Sequence, residues 1–380
     1  MHNVCLQFED ECYPVWIGVQ CIDEIVSNLL GLNASSFHLI TDKVLSKLHA
    51  AAMYEQLSAH ALVNVSVIDS GEQLKSLKTV ESIAEEVIRA GVDRASVIVA
   101  VGGGVVGNIA GLLAALLFRG IRLVHVPTTL IAAADSVASL KQAVNLPSGK
   151  NLLGCFHTPT AVFIDVNFLQ TLPVVQIRSG MYEIIKNALT VATENIPWLE
   201  SGLRQDANYS DTELLAIVEA GLLAKQKVMT VDKYERKEAL VFEYGHTVGH
   251  AIELVAEGRV PHGEAVGLGM LVAAQVASRL GRLSEADRSL HLRLLKRNGL
   301  TVRLPAGVTV AAVMTLLSMD NKRGYLCTRP DQVAMILLDG LGVPAGPVGR
   351  PLILVDATLI QSCIEDCLVP RKDTFIEQRS

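Results

Sequence analysis

Two histidines stand four residues apart in Gly245-His246-Thr247-Val248-Gly249-His250, a spacing that brings both imidazoles to one face of a helix. Neutral imidazole is a common metal ligand. The run lacks the interior glutamate of the HExxH pattern, so it offers ligands without a protease's general base. A third histidine follows in His262-Gly263-Glu264, and Glu183 precedes Lys186 by three residues. Two imidazoles and one carboxylate make a catalytic metal centre with open positions. Histidines that cap a helix or are satisfied in a core are the competing reading of the same residues.

A second chemistry starts from Ser96-Val97-Ile98-Val99-Ala100-Val101, which runs into Gly102-Gly103-Gly104-Val105-Val106-Gly107. This is a strand, a glycine turn of the form GxGxxG and the start of a helix, where backbone amides can approach a pyrophosphate. The ribose-binding acid usual about 20 residues on is missing, because the next strand ends at Val126-Pro127-Thr128-Thr129. Asp42, after the Phe37 to Thr41 strand, is the candidate for that task, with a turn or helix cap as the alternative. Glu72 and Lys75 follow one strand, and Lys141, Lys150 and Asn151 follow Asp135-Ser136. Several cations beside a glycine turn suit a phosphorylated substrate, and solvated surface charge is the alternative.

The elements that must position these groups change along the chain. Strands at Phe37 to Thr41, Val63 to Ile68, Ser96 to Val101, Leu123 to Val126 and Val162 to Ile164 alternate with helices at Thr79 to Ala90 and Val106 to Phe118. That alternation predicts an α/β domain with a mostly parallel Rossmann-like sheet over residues 1–173. From 174 to 380 the spacing is mainly helical, at Tyr182 to Thr193, Asp211 to Asp232, Thr247 to Ala256 and Gly263 to Leu280. A strand at Val333 to Leu338, a loop at Gly340 to Pro351 and a last helix at Ala357 to Cys367 complete the second domain.

With 380 residues, half of them hydrophobic, the chain can bury two cores. Its 33 Lys and Arg against 39 Asp and Glu leave a net charge of −6, which argues against nucleic acid and anionic lipid as partners. The start, Met1-His2-Asn3-Val4-Cys5, has no basic, apolar signal pattern, and no stretch reaches the roughly 20 apolar residues a membrane span needs. A cytoplasmic location is expected. Seven cysteines without a CxxC pair suggest buried or free thiols.

Taken in order, Gly102 to Asn108, Val126-Pro127-Thr128-Thr129-Leu130, Asp135 to Lys141, Gly149-Lys150-Asn151-Leu152, Glu183-Ile184-Ile185-Lys186, Gly245 to His250 and His262-Gly263-Glu264 resemble the dehydroquinate synthase family of sugar phosphate cyclases. The resemblance spans roughly residues 35 to 330. It implies an NAD-binding α/β domain, a helical domain holding a divalent metal (Zn or Co), an active site between them and a homodimer. The implied metal ligands are Glu183, His246 and His262, with His250 close by. The implied cofactor-binding residues are Asp42, Glu72, Lys75, Gly103, Gly104, Val105, Asn108, Thr128, Thr129, Asp135, Lys141, Lys150 and Asn151.

Within this family, dehydroquinate synthases carry an arginine and, four residues later, an asparagine before the Gly-His motif. Here those positions are Ala239 and Glu243. Without the guanidinium a carboxylated sugar acid loses its bidentate partner, and an added carboxylate repels it. The Gly-Gly-Lys-Thr signature is replaced by Ser139-Leu140-Lys141-Gln142-Ala143-Val144-Asn145, and Asp320-Asn321-Lys322-Arg323-Gly324-Tyr325-Leu326 also fits a branch acting on a neutral polyol phosphate, glucose 6-phosphate. In that branch NAD is catalytic. C4 is oxidised, phosphate leaves C6, C4 is reduced, and the opened chain closes as C6 attacks C1. Lys141 and Glu243 are the candidates for proton transfer, Lys75 and Lys186 for binding phosphate or polarising the substrate, and Arg119 for a contribution from the other subunit. A dehydroquinate synthase or other cyclase, and a metal-dependent polyol dehydrogenase, are the rival functions.

Overall fold

The computed structural model describes residues 1–370 apart from 148, 318–321, 323 and 328. In chain order the first part lays down β1 (His2–Phe8), β2 (Glu11–Gly18), α1 (Ile22–Leu30), β3 (Phe37–Asp42), α2 (Ala51–Ser58), β4 (Val63–Ile68), α3 (Leu77–Arg89), β5 (Val97–Gly102), α4 (Gly104–Leu116), β6 (Arg122–Pro127), α5 (Leu130–Ala134), β7 (Lys141–Leu146), β8 (Gly149–Phe156) and β9 (Ala161–Asp165). Seven of these strands form one sheet in the order β1-β2-β9-β6-β5-β3-β4. Only β1 with β2 is antiparallel.

Every residue of β5 is buried, as a strand with helices on both faces requires. Its alternate side chains enter opposite cores. Val97, Val99 and Val101 pack with Phe37, Leu39 and the apolar faces of α1 and α2, while Ile98 and Ala100 pack with Ile40 and the faces of α3 and α4. Each fully buried Val, Leu or Ile contributes about 1.5–3 kcal/mol. Strand β3 has β4 on one side and β5 on the other, so the order of sheet growth reverses between them. Ligands of such sheets bind outside the strand ends at this switch point, which is flanked here by Asp42 and the Gly102 to Gly104 turn.

The chain continues through α6 (Val174–Thr190), α7 (Ile196–Gly202), α8 (Asp211–Met229), α9 (His246–Ala256), α10 (His262–Arg279), α11 (Glu285–Arg297) and α12 (Val310–Leu317). Short strands β10 (Gln332–Met335), β11 (Leu338–Gly340), β12 (Val343–Pro344) and β13 (Ile353–Asp356) precede α13 (Ala357–Leu368). The stretch expected as one strand at Val333 to Leu338 is thus divided between β10, which pairs with β13, and β11, which pairs with β12. Two compact units result: Met1–Gly180 with Tyr209–Tyr234, and Met181–Asn208 with Glu235–Ser380. The boundary at 173/174 was expected from the change to helical spacing there; α8 packs on α5 and β1.

In the second unit α9 and α10 touch backbone to backbone. A Cβ on Gly269 would lie 1.9 Å from Gly245 O, and one on Gly249 would lie 3.0 Å from Ala265 O. All seven cysteines are free thiols. Among the described residues no helix is long and apolar enough to cross a membrane. Of the stretch 320–326 singled out above, Asp320, Asn321 and Arg323 lie outside the described residues, as does the tail 371–380.

Candidate active site

Helix α6 places Glu183 and Lys186 three residues apart and almost wholly buried. Lys186 Nζ donates to Glu183 Oε2. The other oxygen, Oε1, is buried without a well-formed hydrogen bond and lies 3.5 Å from His262 Nε2 and 3.8 Å from His246 Nε2. His246 opens α9 and His262 opens α10, so the backbone contact between those helices sets the two rings beside each other, with centroids 5.3 Å apart. His246 Nδ1 donates to Tyr244 O at 3.2 Å, and His262 Nδ1 donates to Glu253 Oε2 at 3.0 Å. Both rings therefore face Glu183 with Nε2.

His250 brings a third imidazole, with ligand atoms of His246, His250 and His262 all within 4.8 Å of one another. An orphaned carboxylate oxygen beside converging imidazole nitrogens is the donor set of a divalent cation such as Zn or Co. The residues present, Glu183 with His246, His250 and His262, fit that group.

The electrostatics follow from burial and from Lys186. Burial pushes the Glu183 carboxyl up, but Lys186 and the two histidines outweigh it and hold the group well below the usual carboxylate range. Burial, with Lys186 adding to it, pulls His246 down to about 4, and burial pulls His250 down to about 3. Burial also works against a proton on His262, yet the carboxylates of Glu183, 3.5 Å away, and Glu253, its hydrogen-bond partner, raise it to about 10. Glu253 was not singled out in the sequence. It follows His246 by seven residues, the same helical face as His250, and that spacing is the signal that would have found it.

Glu243 Oε2 lies 3.6 Å from Lys322 Nζ, and Lys322 is 2% exposed. Ala239 is completely buried. Lys186, the candidate for binding phosphate or polarising the substrate, pairs with Glu183, since a lysine ammonium away from water needs an opposite charge.

In the first unit the glycine turn opens α4, whose first amides have no helical partner. A Cβ on Gly104 would meet only Ser136 Oγ at 3.9 Å, which leaves room for a ligand beside Gly104 and Val105, whereas one on Gly103 would lie 2.9 Å from Thr129 Cγ2. Thr41 Oγ1 and Thr128 Oγ1, at the ends of β3 and β6, are buried without hydrogen bonds. Amides, unsatisfied hydroxyls and a carboxylate at a switch point fit a dinucleotide. Asp42 Oδ1 accepts from the amides of Val44 and Leu45 at 2.8 and 2.9 Å, which is the cap weighed as its alternative role. Thr129 caps α5 through Ala132 N. Asn108 is spoken for: it donates to Gly104 O at 2.8 Å and accepts from Ala143 N at 2.9 Å, tying the glycine turn to β7.

Glu72, Lys75, Lys150 and Asn151 do come together. Lys75 Nζ donates to Asn151 Oδ1 at 2.5 Å, and Lys150 Nζ lies 3.7 Å from Glu72 Oε1. Asn145 links them, donating to Glu72 Oε1 and accepting from Asn151 N. Lys141 stands exposed at the start of β7. Asp135 Oδ1 is 3.0 Å from Lys225 Nζ, a buried lysine of α8 that the sequence reading missed and that its apolar neighbours could have flagged. Phe118 and Arg119 are consecutive left-handed residues, at φ 52° and 69°.

Residues 65–179 match the family 3-dehydroquinate synthase N-terminal, and residues 180–323 match 3-dehydroquinate synthase C-terminal. The 2-deoxy-scyllo-inosose synthase of Micromonospora echinospora is 46% identical over 96% of this chain and 91% of its own length. A solved 2-deoxy-scyllo-inosose synthase complexed with carbaglucose-6-phosphate, NAD+ and Co2+ is 38% identical, with a TM-score of 0.92 over 97% of this chain and 100% of that one. A 2-epi-5-epi-valiolone synthase from Streptomyces hygroscopicus subsp. jinggangensis 5008, with NAD+ and Zn2+ bound, is 25% identical with a TM-score of 0.81 over 94% and 97% of the two chains. Ordered motifs, sheet order and metal cluster all point the same way, and the chain belongs to the 2-deoxy-scyllo-inosose synthases of the dehydroquinate synthase family.

Proposed function

We propose that this chain converts glucose 6-phosphate into 2-deoxy-scyllo-inosose and inorganic phosphate, the ring-forming step toward 2-deoxystreptamine aminoglycoside antibiotics. Glu243 beside Lys322, with Ala239 where a guanidinium would be needed for a carboxylated substrate, is the observation that carries this assignment. Bound NAD would supply reversible hydride chemistry with no net redox. The cation, when bound, offsets negative charge developing on sugar oxygens.

The chain's own residues do the rest. Glu183, kept ionised by Lys186, and His246 and His262 hold the cation. Glu243 and Lys141 move protons, the former charge-paired with Lys322. Asp42, Thr128, Gly103, Gly104, Val105 and Asp135 bind NAD, with Thr129 and Asn108 bracing the turn. Glu72, Lys75, Lys150 and Asn151 act as one polar cluster beside it. The working form is a homodimer to which Arg119 contributes in trans: its guanidinium has no ion pair or hydrogen bond among the described residues, and it is exposed on a left-handed turn, at φ 69°.

The test is NMR of glucose 6-phosphate with the protein, substoichiometric NAD and Co2+. Phosphate and the carbocyclic ketone should appear together, over many turnovers per NAD. Activity on a heptulosonate phosphate alone would overturn the assignment, as would stoichiometric NADH. Sedimentation should give a dimer, and co-expressed Arg119→Ala and Glu243→Gln chains, each inactive alone, should recover up to about a quarter of full activity if every site draws on two chains.

A further inference from the structure

Glu243 and His246 are the first and last residues of one reverse turn. Its central residues have the angles of a type II turn, with Tyr244 at φ −57°, ψ 128° and Gly245 at φ 80°, ψ −19°. Gly245 seats the turn on α10, where a Cβ would lie 2.6 Å from Met270 Cγ. Tyr244 is fully buried, and its hydroxyl reaches His291 of α11. His291, which stands outside every motif in the sequence, is itself fully buried.

The hydrogen bonds have one consistent direction. His291 Nδ1 faces Asp287 O at 2.8 Å, and a carbonyl can only accept, so the proton sits on Nδ1. Nε2 then carries the lone pair and accepts from Tyr244 Oη at 2.9 Å. Burial keeps this imidazole neutral, pulling it down to about 4. The rings meet edge to face, centroids 5.8 Å apart at 68°. Tyr244 O in turn accepts from His246 Nδ1 at 3.2 Å, which leaves His246 Nε2 facing Glu183. A satisfied polar pair in a helical core specifies one arrangement where apolar side chains of the same volume would allow several.

We propose that Tyr244 and His291 are positioning residues: the buried pair fixes the turn whose carbonyl orients His246 and whose first residue is Glu243, so that both groups are aimed before metal and substrate arrive. The role in turnover rests on the cyclase reading above; the role at the metal does not.

Three variants of the full chain test it. Tyr244→Phe removes only the hydroxyl, His291→Leu removes the acceptor, and His291→Gln restores an acceptor near Nε2. Each is titrated with Co2+ and followed by its visible absorption bands, then assayed on glucose 6-phosphate. Tyr244→Phe and His291→Leu should each weaken Co2+ binding about tenfold or more and alter the bands. Turnover should fall in kcat with KM within about threefold, and the double variant should be no worse than either single one. His291→Gln should recover most of the loss. Parental Co2+ affinity and bands in Tyr244→Phe would overturn the proposal, as would a His291→Gln chain as impaired as His291→Leu. If the parent binds Co2+ but releases no phosphate, the cyclase reading fails and the Co2+ titration still decides the pair. A parent showing no Co2+ bands overturns both.

Discussion

In the metal site proposed above, a carboxylate outside the ligand set would govern how tightly the cation is held. Glu253 grips His262 Nδ1, so Glu253→Gln is expected to weaken metal affinity by about 10–100-fold while leaving the fold intact, as measured by metal titration and circular dichroism. Glu183 and Glu253 raise His262 to about 10, so of the proposed ligands it is the one that carries a proton near neutrality, since His246 and Glu183 are shifted down. Metal uptake should therefore release one proton, and affinity should rise about tenfold per pH unit between roughly 7 and 9. Calorimetry in two buffers of different protonation enthalpy reads that proton, and Glu253→Gln should flatten the slope. Without metal the sign reverses. The His262 charge stabilises the fold fully below about 6.5, and the contribution is lost as pH rises through about 10. Glu183, His246 and His262 were legible because they lie in ordered motifs. Glu253 acts through another side chain and could be found only from its spacing after His246, and nothing in the local sequence of His291 distinguishes it from ordinary helix residues.

At the scale of elements the site depends on how closely two helices meet. Gly245→Ala would combine a left-handed φ of 80° with a Cβ 2.6 Å from Met270 Cγ, and Gly269→Ala would drive a methyl to 1.9 Å from Gly245 O. Each should lower the unfolding free energy by about 3 kcal/mol, read from denaturant titration, and lose metal binding in parallel, because His246 and His262 open the two helices. Gly258→Ala, at φ 81° with open space around it, is the control: about 1 kcal/mol and unchanged metal uptake. The parallel strands and long helices were readable because apolar runs and 3.6-residue periodicity mark them strongly. The β7 and β8 hairpin was not, because Lys141, Gln142, Asn145, Lys150 and Asn151 give it little apolar alternation. Its geometry comes from tertiary bonds such as Asn108 to Ala143 N.

For the molecule as a whole, acid is the weak direction. Burial lowers His125, His246 and His291 to about 4 and His250 to about 3. As pH falls below about 6.5 the unfolded chain takes up protons that the folded chain refuses, so stability drops until the folded values are reached. Each group can cost up to about 3 kcal/mol by pH 4. Urea unfolding with a chelator present should show a midpoint that falls steeply between pH 6.5 and 4.5, and His291→Gln should remove part of that fall.

The chain passes between its two units three times, since Met181–Asn208 belongs to one and Tyr209–Tyr234 to the other. During synthesis the sheet emerges long before the helix that completes its unit. At about 5–20 residues per second, the 54 residues from Gly180 to Tyr234 take roughly 3 to 11 s to appear. Until α8 is made, Asp135 lacks Lys225 and α5 lacks the helix it packs against. The nascent chain therefore has a window in which a chaperone is useful, and the first unit is complete only once part of the second has already been made.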